Sequence, residues 1–107
     1  MDIENIKQAV KSGVDVQFSM HSLKRMEERG ISREDVISGI LTGEIIEDYP
    51  LKDVYSEKSL PSCLIMGVNV VGKCIHLVVG FNGIIILIIS ACYPDKKHWE
   101  DDLKTRR

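Results

Sequence analysis

The run from Cys74 to Tyr93 constrains this chain most, because it carries no charged residue and has the ~20-residue length of a membrane span. Asn82-Gly83 interrupts it at the middle and His76 lies near its start. An Asn-Gly pair between β-branched runs is a strong hairpin signal, so the run predicts two antiparallel strands and no membrane segment. A two-residue loop would pair Phe81 with Ile84 and continue along the ladder from there. One face would then carry Ile75, Leu77, Val79, Phe81, Ile84, Ile86 and Ile88. The other would carry His76, Val78, Gly80, Leu87, Ile89, Ala91 and Tyr93. Both faces are largely apolar, so both need cover. Helices should take the first face, and a second copy or a partner segment part of the second.

Charge is segregated, for Lys73 is the only charged residue between Ser59 and Pro94. The stretch before it reads as helices. Asp2 caps the first, with Ile3, Ile6 and Val10 on one stripe and Gly13 as its stop. Ser19 starts the second, with Phe18 and Leu23 as a hydrophobic staple and Gly30 as its end. Ser32 starts the third, where Asp35 completes a capping box and Ile31 staples onto Val36. Val36, Ile37, Ile40 and Leu41 form its buried face, and Gly43 ends it. Strands follow: Glu44 to Pro50, a return over Leu51 to Ser56, Leu64 to Val70, and the two halves of the apolar run, Cys74 to Phe81 and Ile84 to Tyr93. Asp95 is read as the cap of a short last helix carrying Trp99 as an anchor and Leu103. The expectation is one α+β domain over residues 1–107: helices in 1–43, an antiparallel sheet in 44–93, and a C-terminal helix and tail in 94–107.

Composition narrows the function classes. A net charge of −2 with abundant Ile, Leu and Val excludes a disordered chain. A pI near 5.9 argues against a strongly basic nucleic-acid binder, although a basic cleft can sit inside an acidic average. Cys63, Cys74 and Cys92 are odd in number and lack CxxC spacing, which fits reduced thiols in a cytoplasmic protein. The N-terminus lacks the basic and apolar regions of a signal peptide. A zinc site from the cysteines and His76 would lack the usual short ligand pairs, so neither metal nor cofactor is expected.

Two segments carry candidate chemistry. His21, Arg25 and Arg29 recur at i, i+4 and i+8, which places them on one helical stripe. An imidazole moves protons near neutral pH and guanidinium holds phosphate oxygens bidentately, so the stripe suits phosphodiester chemistry. The plainer reading is a solvated charged face with Glu27 and Glu28 as ion partners. At the end of the last strand, Tyr93 offers a phenol to a phosphate or leaving oxygen, or else a sheet-edge ring with a wet hydroxyl. His76, on the same face as Tyr93 in this register, is either a second acid–base group or a hydrogen-bonded strand histidine. His98, with Lys96 and Lys97, reads as solvated surface.

The stretch His21-Ser22-x-x-Arg25-Met26-x-x-Arg29-Gly30-Ile31, followed by Asp35-Val36 and by Gly43 to Tyr49, resembles a family of small prokaryotic domains of unknown function. The ending from Ile89 to Pro94, with Asp95 and Trp99, resembles that family's closing segment. The family is placed near the RelE-like toxins, among the metal-independent RNase folds that include barnase, EndoU and the colicin nucleases. The resemblance implies helices on one face of an antiparallel sheet and a toxin-type endoribonuclease encoded beside an antitoxin. It implies RNA as substrate, free or on the ribosome, and an antitoxin or a second copy on the sheet face. The 2′-hydroxyl would attack phosphorus, with His21 moving the proton, Arg25 and Arg29 holding the phosphate, Tyr93 positioning it and His76 in reserve. The helix stripe and the last strand would form opposite walls of one cleft. RelE-like toxins are basic, a point on which this chain departs. The rival readings are a binding module without catalysis and a homo-oligomer acting on a small anion.

Overall fold

The computed structural model describes residues 1–49 and 60–107. Among these residues, three helices, α1 (Ile3–Lys11), α2 (Met20–Arg29) and α3 (Arg33–Thr42), accompany five strands, β1 (Val16–Phe18), β2 (Glu44–Tyr49), β3 (Ser62–Val68), β4 (Cys74–Phe81) and β5 (Ile86–Cys92). The strands form one sheet in the order β1-β5-β4-β3-β2. The class is α+β, as the charge segregation implies. The expected return strand over Leu51 to Ser56 lies outside the described residues. Among those that are described, no helix is long and apolar enough to cross a membrane.

The helix boundaries follow their caps. Asp2 and Ser19 each accept a backbone N–H of the first turn, and Gly30 ends α2 in the left-handed region at φ +66°. The capping box at Ser32 and Asp35 is present in both directions. Asp35 does more than cap, for its other oxygen accepts the Val70 N–H and pins the start of α3 to the turn after β3. The expected staple partner Leu23 remains 46% exposed, so Met26 and not Leu23 anchors α2.

One sheet face is the core. Ile75, Leu77, Val79, Ile86 and Ile88 are fully buried there beneath Ile6, Met26, Val36 and Ile40 from the three helices. The helix α3 lies unusually close to this face. A Cβ on Gly39 would stand 2.8 Å from the Leu77 side chain, and one on Gly67 would run into the Gly39 backbone. Facing glycines let helix and strand backbones touch.

Three expectations are corrected. The sheet is mixed rather than antiparallel, because the short β1 pairs in parallel with β5 at its edge. The hairpin loop is longer than two residues: Phe81 pairs with Ile86, and the Asn82 side chain accepts the N–H groups of Ile84 and Ile85. Ile84 thereby leaves the core face and is 75% exposed in the turn. That shift of two keeps Ile86 and Ile88 on the core face, but a bulge at Ile89 then inverts every later side chain. Finally, residues 94–107 form turns and not a helix. Asp95 accepts from the Lys97 and His98 N–H groups, and Trp99 bridges back to Arg106.

The Gly39–Gly67 contact gives a direct check. Gly67→Ala should lift α3 from the sheet and cost about 1–3 kcal/mol in urea denaturation. An unchanged midpoint would mean that α3 has room the packing denies it.

Candidate functional site

The bulge at Ile89 decides what faces each side at the end of β5. Ala91 turns into the core, and the Tyr93 ring packs against the same side. Ser90 and Cys92 turn to the opposite face, where they pair with Val78 and His76. Tyr93 and His76 therefore lie on opposite faces, contrary to the register expected from a two-residue loop. The Tyr93 hydroxyl accepts from the Asn69 amide at 3.1 Å, and Lys73 Nζ stands 4.2 Å from the ring centroid.

The tail crosses this second face, so the chain itself supplies part of the cover that the sequence demands. Trp99 is buried against His76, with ring centroids 4.6 Å apart and nearly perpendicular. His76 Nε2 donates to the Leu103 carbonyl at 2.7 Å, which makes it the protonated ring nitrogen. Arg106 covers the Trp99 ring and grips Glu47 with two hydrogen bonds of 2.7 and 2.9 Å. That grip, above all, holds the Glu47 carboxyl below the ordinary range.

Tail and sheet enclose a cavity of about 350 Å³. Its floor follows two cross-strand rows, Leu64–Val78–Ser90 and His76–Cys92. Tyr49 and Arg106 close one end. Arg29 stands at the other, donating to the Ala91 carbonyl at 2.9 Å. The tail side carries Asp95 and His98, whose Nδ1 lies 2.9 Å from Asp95 Oδ1. Burial pushes the Cys92 thiol up, so it enters the cavity as a neutral thiol and not as a nucleophile.

The candidate residues divide. Arg29, His76 and Tyr93 border the cavity, although the Tyr93 ring is committed to the core side. His21 and Arg25 are exposed on α2 outside its lining, and Arg25 pairs with Glu28 at 3.3 Å. The stripe and the last strand adjoin through Arg29 and do not face each other across a cleft. His98 is the site residue that sequence reading passes over. The Asp-x-x-His spacing after Pro94 was its available signal, obscured by reading Asp95 as a helix cap. Among the described residues, no group of three or more His, Cys, Asp or Glu side chains gathers as a metal site.

Residues 18–93 match the family model described as domain of unknown function DUF4258, and the chain belongs to that family. No curated protein and no solved structure matches it. The matched span contains Arg29 and the cavity floor, while Asp95, His98, Trp99 and Arg106 lie beyond it.

The buried His76 makes tail docking sensitive to pH. Burial, chiefly, lowers its affinity for a proton below that of a free imidazole. The folded pKa is thus depressed, so stability is full above the unfolded value of about 6.5 and falls as pH drops toward the lower folded value. Trp99 is the only tryptophan, and its fluorescence should report a looser tail as pH falls through that window. His76→Gln keeps an N–H donor for Leu103 and should remove the step. An unaltered step in that variant would place its origin elsewhere.

Proposed function

We propose that this chain is a metal-independent endoribonuclease of the toxin type, working in the cavity at the end of β5. The observation that carries the reading is the position of Arg29. It belongs to the α2 stripe of His21 and Arg25, yet it reaches the cavity that also holds the Asp95–His98 pair. Phosphate placed on the Arg29 guanidinium lies beside an imidazole whose other nitrogen is held by a carboxylate. His98 Nε2 takes the proton of the ribose 2′-hydroxyl, and that oxygen attacks the adjacent phosphorus. The 5′-oxygen leaves with a proton from solvent at the open side, giving a 2′,3′-cyclic phosphate and a 5′-hydroxyl end. Arg29 stabilises the added charge on the non-bridging oxygens. His21 and Arg25 hold neighbouring phosphates of the strand as it approaches, His76 positions the tail through Trp99 and Leu103, and Tyr93 fixes the end of β5 from the core side through Asn69.

An antitoxin or second copy fits the same reading. Val78, Leu87 and Ile89 remain half-buried on the tail face, a strip that a partner segment would cover. A binding module without catalysis is the second reading, favoured by the exposure of His21 and Arg25 away from the cavity.

Mapping RNA ends after incubation with purified protein separates the two. Wild type should leave cyclic phosphate ends without added metal. Arg29→Gln should lower the rate ~30–1000-fold by removing a charge-assisted contact to the transition state. His98→Ala should lower it ~10²–10⁴-fold while leaving the melting temperature unchanged, since its side chain is 74% exposed. Folded wild type that leaves RNA intact, both free and on ribosomes, would refute catalysis and leave the binding module.

A further inference from the structure

The two ends of the cavity differ in chemistry, and its floor is graded between them. The row Glu47–Leu64–Val78–Ser90 runs across β2, β3, β4 and β5, three strand spacings or roughly 14 Å. Arg29 lies at the β5 end, with one Nη engaged by the Ala91 carbonyl and the remainder of the guanidinium fork to offer. Leu64 and Val78 form an apolar middle. At the β2 end the Tyr49 phenol and the Arg106 guanidinium are fixed by Glu47. A cavity of about 350 Å³ falls within the ~300–1,000 Å³ range of small-molecule sites.

From this gradient we infer that the cavity is a pocket for one unstacked ribonucleotide of a single-stranded RNA, an inference that rests on the RNA reading above. The phosphate lies on Arg29, the sugar beside Ser90 and His98, and the base on Leu64 and Val78 with its edge toward Tyr49. An apolar floor suits a base, which presents an apolar face and polar edges. Inorganic phosphate would use only the β5 end and leave the half-buried Val78 uncovered. A duplex is excluded on shape, because a paired base cannot enter a recess closed by the tail. The tail is then the specificity wall: Asp95, His98, Trp99 and Arg106 all line the pocket from the segment beyond the matched family span.

Binding of adenosine 3′-monophosphate, followed by Trp99 fluorescence and calorimetry, tests this without any cleavage assay. The nucleotide should bind at least ~10-fold more tightly than inorganic phosphate. Arg29→Gln and Val78→Phe should each weaken it ~10-fold or more, the first by removing the cation and the second by filling the floor. Ser90→Ile fills the same row from β5 and serves if Val78→Phe does not fold. A single-stranded oligoribonucleotide should compete with the mononucleotide, and its duplex should not. Equal affinity for inorganic phosphate, or filled-floor variants that bind normally, would overturn the pocket. Competition by duplex, or none by single strand, would overturn the strand-borne nucleotide. Nucleotide binding without RNA cleavage would uphold the pocket and sink the nuclease. Cleavage by a Val78→Phe protein at the wild-type rate would do the reverse.

Discussion

A sheet whose central strands are apolar on both faces must be covered twice, and the rest of this fold follows from how that is done. The three helices cover one face, with the backbones of α3 and β3 in contact at Gly39 and Gly67. Among the described residues, the other face receives residues 94–107, a short segment with few apolar side chains, and Leu60, which lies over Gly80. Burying Trp99 contributes on the order of 1.5–3 kcal/mol. The Lys104–Glu44 pair is exposed and adds little. The better-defined contacts are the bidentate Arg106–Glu47 pair and the His76–Leu103 hydrogen bond, which fix where the tail lies. Among the described residues, this cover leaves Val78, Leu87 and Ile89 half-buried. The cavity is the space it leaves.

The bulge at Ile89 decides what that space contains, and its position has a structural cause. β1 pairs with β5 only as far as Ile88. There the chain leaves the sheet: Ser19 N–H donates to the Ile88 carbonyl, its hydroxyl donates to the Ile89 carbonyl, and α2 begins. The edge of β5 thus changes partner from a strand to a helix at the residue where it bulges. Beyond that point α2 runs beside β5 and delivers Arg29 to the Ala91 carbonyl. One inserted residue sends Ala91 and Tyr93 to the core and brings Ser90 and Cys92 out to the cavity. Helix cap, bulge and cation are parts of one local arrangement.

Local chemistry explains which features were legible in the sequence. Ser19, Gly30, Ser32 and Asp35 act within a turn of their own position, so the helix ends were readable from neighbours. The core face of β4 was readable from strict alternation. The loop length was not, because Asn82 satisfies two N–H groups that a two-residue turn would not present, and nothing in the adjacent residues counts them. β1 escaped notice because Val16 to Phe18 is held by a partner some seventy residues away. The bulge depends on that same distant edge, so the faces of Tyr93 and His76 could not be ordered from the hairpin alone. The tail misled for a related reason: Asp95 has the chemistry of both a helix cap and an Asx turn, and only docking on the sheet selects between them. Arg29 was legible as part of a stripe, but the separation of Arg29 from His21 and Arg25 is tertiary.

The net charge of −2 bears on how such a site would work. Part of the surface charge is paired, as in Arg25 with Glu28, Lys104 with Glu44, and Arg107 with Glu100 and Asp101. Paired charges separated by a few ångströms cancel beyond the Debye length of ~8 Å at physiological salt. With a net charge of −2, this chain has no broad positive field to draw in a polyanion from a distance, unlike a basic protein that gathers nucleic acid by counterion release. Affinity has to come from short-range contact: an oriented guanidinium, a hydrophobic floor, and a wall that holds both in place. Those are contacts that a recess can make and an open basic surface cannot. An acidic average is thus compatible with an anion site, provided the anion is part of a ligand with an apolar body. The cavity beneath the tail offers a place for each part.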